Sequence, residues 1–139
     1  MQHSRLIMHH TQAASGRTRF VKMSHGGVSA FEPLPVPAQL MDEVPGESVV
    51  SHPAQLVNEA EQHLGMKSGS LEVDSNFQAW VDVAHGPIQV FLARFTSIDP
   101  PFAEVENLGG EFINLTDARQ LVPAELEMLR RAYECVMEG

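Results

Sequence analysis

The stretch 71–98 constrains the fold more than any other part of this chain. Between residues 71 and 83, apolar side chains occupy most odd positions and polar side chains occupy the even positions apart from Trp80. This period of two is typical of a strand with one buried face, and it places no apolar stripe on a helix. Residues 88–95 are apolar at odd and even positions, which is typical of a more central strand. The sequence therefore predicts an antiparallel hairpin that turns at His85-Gly86.

The register of this hairpin follows from its turn. A tight turn pairs Val81 with Val90 and leaves the apolar odd positions of the first strand on the core side. Asp and Asn favour turns because their side chains bond to their own backbone, so Asp74-Ser75-Asn76 can divide the first strand. We favour this division, which gives strands at 71–74 and 77–83 and three antiparallel strands in all.

The second face of the hairpin carries three aromatic side chains among polar neighbours, namely Trp80, Phe91 and Phe95. One interpretation is that a helix or another strand covers them, because aromatic side chains dominate core energetics. The alternative is a homodimer or partner interface, because large exposed apolar patches mark interaction sites. The sequence leaves both interpretations open.

Length and composition indicate one soluble globular domain. A chain of 139 residues with 43% hydrophobic residues is long enough to bury a core. Its one cysteine, Cys135, excludes an intramolecular disulfide and a zinc cluster built on cysteines, and it favours a reducing, cytoplasmic compartment. We expect Cys135 to be a buried, inert thiol. No apolar run approaches the ~18 residues of a membrane helix, so we expect no membrane association.

The net charge of −9 is divided unequally along the chain. Residues 1–31 contain four basic and no acidic residues, whereas residues 32–139 carry a net charge of −13. An acidic body disfavours nucleic-acid binding, because phosphate contacts depend on clustered Lys and Arg. We therefore expect no nucleic-acid partner, and a nucleic-acid adaptor would have to work through the basic N-terminal residues.

Residues 1–46 are predicted to be a flexible basic arm followed by a proline-rich strap. The segment 1–27 has few core-forming residues and no periodicity, which is typical of disorder. The strap is the segment 31–46, in which prolines at positions 33, 35, 37 and 45 favour an extended backbone. We therefore place a single folded domain at residues 47–139.

Helix signals occur in three places within that domain. A first helix is expected between Ser51 as its N-cap and Gly65 just past its end. A second is expected after Asp99 as its cap, opened by Pro100-Pro101. Pro123 begins the last helix, whose apolar face is formed by Leu126, Leu129, Tyr133 and Val136.

The predicted fold class is α+β. The prediction is an antiparallel sheet of three to four strands packed against two to three helices, which makes a two-layer sandwich.

Arg94 is the most informative candidate for a binding residue. It lies opposite Phe77 on the predicted core face, and a guanidinium cannot shed its proton, so burial requires a carboxylate, backbone carbonyls or an anionic ligand. One interpretation is an ion pair with Asp99 or Glu72. The other is a cleft at the sheet end in which Arg94 binds a small anion, assisted by Asp99 and His85, with the guanidinium free of any protein carboxylate.

The sequence contains none of the motifs that assign catalysis, such as a phosphate loop or a His-Glu-x-x-His. We therefore assign no catalytic residue, no metal ligand and no cofactor. The leading hypothesis is a non-enzymatic interaction domain that forms a homodimer, or binds another protein, through Trp80, Phe91 and Phe95. The alternative is a small anionic-ligand binder or enzyme that uses Arg94.

Overall fold

The computed structural model describes residues 4–45 and 52–138. Its strands are β1 (Ser4–Thr11), β2 (Thr18–Lys22), β3 (Gln39–Leu40), β4 (Leu71–Val73), β5 (Ala79–Val83), β6 (Gly86–Phe95) and β7 (Glu111–Ile113). Its α-helices are α1 (Pro53–Leu64), α2 (Phe102–Asn107) and α3 (Pro123–Glu138), and a 3-10 turn spans Leu115–Asp117. Within the described residues, no helix has the length and apolar character needed to cross a bilayer.

The strands form one mixed sheet in the order β3-β5-β6-β1-β2-β7. β1 and β6 run parallel, and the other pairs are antiparallel. β4 also pairs with β6, on the edge that β5 occupies further along the strand. The prediction of an antiparallel sheet of three to four strands is therefore wrong, because three strands from the N-terminal third complete a sheet of seven.

The prediction of a flexible N-terminal arm is wrong, because β1 lies between β6 and β2 near the middle of the sheet. Every residue from Ser4 to His10 is buried. The predicted boundary between residues 46 and 47 fails for the same reason, since strands on both sides of it belong to one sheet. Polar residues caused the error, because Arg5, His9 and His10 are buried in a segment whose composition resembles a disordered one.

The predicted hairpin forms, with a register shifted by two residues. Val81 pairs with Ile88 instead of Val90, and a shift of two leaves each side chain on its expected face. The turn residues are Ala84 and His85, one position earlier than predicted. Gly86, the first residue of β6, has a φ of 116°, a conformation that a residue with a Cβ rarely adopts. The predicted division of the first strand is also confirmed, because β4 and β5 are separate strands.

The odd-numbered side chains of β4 and those of β5 lie on opposite faces of the sheet. The cause is an offset of three residues between their pairings with β6. Val73 pairs with Ala93, whereas Ala79 pairs with Val90. The chain therefore advances by six residues while its partner position on β6 moves by only three. An odd offset exchanges the faces of a strand. Leu71 therefore packs on the opposite side of the sheet from Val81, although both occupy odd positions.

Both faces of the sheet are covered, so the protein has three layers and not two. On one face α3 supplies Met128, Leu129 and Ala132 to a core that also contains side chains of β1, β2, β5 and β6. On the other face α1 and α2 cover a second core, formed by Leu6, Met8, Val21, Met23, Ala30, Leu56, Val57, Ala60, Leu64, Leu71, Phe91, Ala93, Phe95 and Val105. A sheet with apolar residues on both faces requires cover on both.

The first and second helices begin differently from the prediction. The N-cap of α1 is His52, whereas Ser51, the predicted N-cap, lies outside the described residues. Gly65 ends the helix in the left-handed conformation, as expected for a residue just past its end. α2 begins at Phe102 without a side-chain cap, so Asp99 does not cap it. Pro123 begins α3 as predicted.

Candidate functional site

A cleft of about 340 Å³ lies at the end of the sheet where β5 turns into β6. We call it the Arg5 cleft, and its lining residues are Arg5, Glu32, Pro35, Val83, His85, Gly86 and Ile88. Its walls combine apolar side chains with one buried cation and two titratable groups at exposed positions. Clefts of this size with a few converging polar groups are typical of small-ligand sites.

Arg5 is held in the cleft by the strap that follows β2. Its Nε donates to the Glu32 carbonyl at 3.0 Å, and its Nη2 donates to the Pro33 carbonyl at 3.1 Å. Its Nη1 donates to the Ser4 carbonyl at 2.9 Å. These bonds orient a planar, permanently charged group that is 3% exposed.

The carboxylate of Glu32 forms a long ion pair with this guanidinium, at 3.9 Å. The Glu32 side chain is 67% exposed, so water competes with Arg5 for its charge. Burial lowers the pKa of Arg5 below its ordinary value, and the negative charges of Glu32 and Glu125 oppose that shift. Arg5 thus remains a cation, and the Glu32 carboxylate beside it is mostly exposed.

Behind Arg5, Glu125 joins α3 to the loop that follows β2. Its buried carboxylate accepts hydrogen bonds from the Ser29 backbone N–H at 3.1 Å and from the Ser29 hydroxyl at 2.6 Å. A Cβ at position 27 would overlap this carboxylate, which explains the glycine there. The network fixes the chain segment that leads into the strap.

His85 lies on the rim of the Arg5 cleft, at the hairpin turn. The sequence singles out its imidazole but offers it no second functional group nearby. The fold supplies two such groups, because the N-terminal end of β1 and the strap bring Arg5 and Glu32 to the same cleft.

Arg94 and Asp99 lie at the other end of β6 from His85. Eight residue steps separate Gly86 from Arg94 in β6, a span of about 26 Å in a strand. Asp99 is exposed in the loop that follows. The three predicted ligand-binding residues therefore do not form one site.

Arg94 itself is paired and half exposed. Its Nη2 lies 3.2 Å from an oxygen of Glu72, and 51% of its side chain is exposed. Of the two interpretations of Arg94, this geometry matches the ion pair with Glu72. The expected cleft with the guanidinium free of any protein carboxylate is not what surrounds Arg94.

The three aromatic residues predicted to form an interface are buried within the protein. Trp80, Phe91 and Phe95 are 6%, 8% and 2% exposed. Phe91 and Phe95 belong to the core beneath α1 and α2. The interpretation in which a helix covers this face is confirmed for these two residues, and the homodimer face is corrected, because buried rings offer no surface to a partner.

A second cleft, of about 400 Å³, lies between the end of α3 and the β4–β5 connection and is lined in part by Cys135 and Phe77. Burial, and then the charge of Asp74, raise the pKa of the Cys135 thiol, whose Sγ lies 3.8 Å from an Asp74 oxygen. A thiol with a raised pKa stays protonated at neutral pH and is a poor nucleophile. Cys135 therefore gives this cleft no activated thiol, and this cysteine is half-buried, not buried as the sequence predicts.

Sequence reasoning missed Arg5 and Glu32, which line the candidate site. The available signal was the apolar run Leu6-Ile7-Met8 directly after Arg5, which becomes the centre of β1. No pattern in the sequence indicates that the strap crosses the N-terminal end of β1. Among residues 4–45 and 52–138, no three His, Cys, Asp or Glu side chains are grouped as metal ligands.

The sequence matches no protein-family model and no curated protein. The fold is similar to that in the crystal structure of the C. elegans Ap4A hydrolase, with a TM-score of 0.53, 15% identity and 94% of each chain covered. At this identity the similarity shows the fold alone. The hypothesis of a non-enzymatic interaction domain is corrected, because the Trp80, Phe91 and Phe95 side chains on which it rested are buried. A fold shared with a hydrolase agrees better with the alternative, a binder or enzyme for a small anionic ligand.

Proposed function

We propose that this protein is an enzyme, a hydrolase of a small anionic substrate that binds in the Arg5 cleft. The observation that carries the proposal is the position of Arg5, a guanidinium that is 3% exposed and lines a cleft of about 340 Å³ together with His85. A buried cation at the surface of a cleft attracts anions strongly, because little water screens its charge.

An anionic ligand can displace the Glu32 carboxylate from Arg5. In the free protein the Glu32 carboxylate lies 3.9 Å from the guanidinium and is mostly exposed. A phosphate or carboxylate of a ligand can take its place at Arg5, while Glu32 moves into water at little cost. The backbone carbonyls that hold Arg5 stay in place during this exchange, so the cation is already oriented when the ligand arrives.

His85 is the candidate for proton transfer in this cleft. Histidine is the side chain best suited to act as general acid or base near neutral pH. His85 lines the same cleft as Arg5 and is exposed, so it can reach a bound substrate without displacing core residues. Arg5 would bind the anionic part of the substrate, and His85 would deliver or accept the proton when the bond is cleaved.

The similarity to the C. elegans Ap4A hydrolase supports the hydrolase class and suggests Ap4A as the first substrate to test. The assay follows product release from Ap4A, from nucleoside triphosphates and from pyrophosphate, with and without added divalent cations. We expect turnover of at least one of these anions. His85→Gln should lower kcat by roughly 100-fold, and the control His52→Gln, at another exposed histidine, should retain full activity.

A second measurement separates binding from chemistry. Glu32→Gln removes one of the negative charges that act on Arg5 and should tighten pyrophosphate binding by about fivefold, the effect of ~1 kcal/mol of repulsion. Glu106→Gln makes the same change of charge at an exposed position of α2 and should leave the affinity within twofold. Unchanged or weaker binding by Glu32→Gln, measured calorimetrically, would remove the basis of the proposal.

A further inference from the structure

A second group of arginines lies at an exposed surface beside α2. Arg19, on β2, places its guanidinium carbon 5.7 Å from the centroid of the Phe102 ring. Phe102 is 47% exposed, and Ile98, four residues earlier, is 90% exposed. Arg17 lies two residues before Arg19 and is also exposed. We call these four residues the Arg19 patch.

Both arginines are oriented by uncharged side chains. Arg19 donates from Nη1 to the side-chain oxygen of Gln12. Arg17 donates from Nε to the side-chain oxygen of Asn114 at 3.2 Å. In the part of the chain that the structure describes, neither arginine has a carboxylate within ion-pair distance. Amide oxygens fix the direction of a guanidinium without neutralising its charge.

This arrangement is unusual in a chain with 18 acidic and nine basic residues. Partial burial, and then the charge of Arg17, lower the pKa of Arg19. The like charges of Arg17 and Arg19 repel each other, which costs free energy in the isolated protein. An anionic group placed between them would reverse that cost, so the patch is complementary to negative charge.

The apolar part of the patch is firmly supported from below. The Phe102 ring packs edge-on against Phe112 at a centroid distance of 5.4 Å, and Phe112 packs against the buried Phe95 at 6.0 Å. Exposed aromatic rings that are fixed in this way lose little conformational entropy on binding. The patch therefore combines a rigid apolar surface with two oriented cations.

We propose that the Arg19 patch binds an acidic segment of a partner protein, with carboxylates at Arg17 and Arg19 and an apolar side chain against Phe102 and Ile98. Interfaces are enriched in arginine and aromatic residues, as this patch is. The exposed Ile98 and half-exposed Phe102 favour a protein segment, whose apolar side chains can cover them. A nucleic acid would need more clustered Lys and Arg than the two arginines of this patch.

The test uses a fluorescein-labelled 12-residue peptide that contains four glutamates around two leucines and one phenylalanine. Binding is followed by fluorescence anisotropy at 50 mM and 200 mM salt. We expect saturable binding that weakens with salt, at least tenfold weaker binding by R17Q/R19Q, and about threefold weaker binding by Ile98→Ser. Ile98 is 90% exposed, so its replacement should not affect folding.

The matched control is R119Q/R130Q, which removes two exposed arginines that also have no ion pair among the described residues. It should change the affinity for the peptide by less than twofold. Equal losses in both double variants would attribute binding to net charge and overturn the proposal. Tighter binding of a 12-nucleotide oligouridine than of the peptide, or no peptide binding at 1 mM protein, would overturn it as well.

Discussion

Arg5 and Arg94 occupy neighbouring parallel strands of the same sheet, yet their surroundings differ completely. Arg5, near the start of β1, is 3% exposed and donates to three backbone carbonyls. Arg94, near the end of β6, is half exposed and pairs with Glu72 at 3.2 Å. The difference comes from the strap, which covers one end of the β1–β6 pair. Long-range cover, and not the local sequence, makes one arginine a candidate ligand site and the other a surface ion pair.

Replacing each arginine by methionine should give the largest difference between Arg5 and Arg94, measured as the loss in the free energy of unfolding. Arg5→Met leaves buried carbonyls without donors and should lower the free energy of unfolding by roughly 3–5 kcal/mol. Arg94→Met removes an exposed ion pair and should cost less than about 1 kcal/mol. Urea denaturation measures both values, and similar losses for the two variants would contradict the contrast between a buried and an exposed arginine.

A fall in pH should destabilise the protein through His9, which lies at the opposite end of β1 from Arg5. His9 is 2% exposed and pairs with Arg94 in the ladder. Neither of its ring nitrogens has a hydrogen-bond partner among residues 4–45 and 52–138. Burial is the largest cause that lowers its pKa from 6.5 to about 4.

Unfolding therefore takes up a proton at His9 as the pH falls from 6.5 towards 4. Above pH 6.5 the contribution of His9 to the free energy of unfolding is constant. Between pH 6.5 and pH 4 this free energy should fall by about 3 kcal/mol. His9→Leu should abolish this part of the acid sensitivity, whereas His52→Leu, at an exposed position, should not. Denaturation at pH 7 and pH 4 distinguishes the two outcomes.

The smallest effect is expected for the ion pair between Arg94 and Glu72. A double-mutant cycle with Arg94→Gln and Glu72→Gln should give a coupling free energy of about 0.5 kcal/mol that decreases in 1 M salt. A coupling above 2 kcal/mol would mean that this pair is as constrained as the surroundings of Arg5, and the contrast between the two ends would be lost.

The hairpin and the last helix could be predicted because their signals are local. Alternation along 71–83 and the residues at His85-Gly86 determine a turn with little help from the rest of the chain. The spacing of apolar residues after Pro123 likewise predicts α3. Even the register error of two residues in the hairpin leaves the faces unchanged.

The position of β1 could not be predicted in the same way. A parallel pair such as β1–β6 joins residues more than 80 positions apart, so no local pattern reports it. Arg5, His9 and His10 lower the hydrophobicity of the segment, although all three are buried in the fold. Without β1, the sequence also gives no reason to expect a second covered face, and the aromatic residues were open to interpretation as an interface.

The candidate site depends on the same missing strand. Arg5 lines a cleft because the strap and the β5–β6 turn come together at the N-terminal end of β1. His85 was identifiable from its turn, but its partners were not. The sequence points to Arg94 because it lies in the most apolar strand. Its position near the exposed end of that strand makes it a surface residue instead.

The most direct test of the central claim is to observe the two guanidiniums while pyrophosphate is added. Arginine Nε–H resonances, assigned by comparison with R5K and R94K variants, report an anion that binds at either position. We predict that the Arg5 signal and the His85 ring signals shift along one saturating curve, while the Arg94 signal stays still. A saturating shift at Arg94 with none at Arg5 would contradict the account.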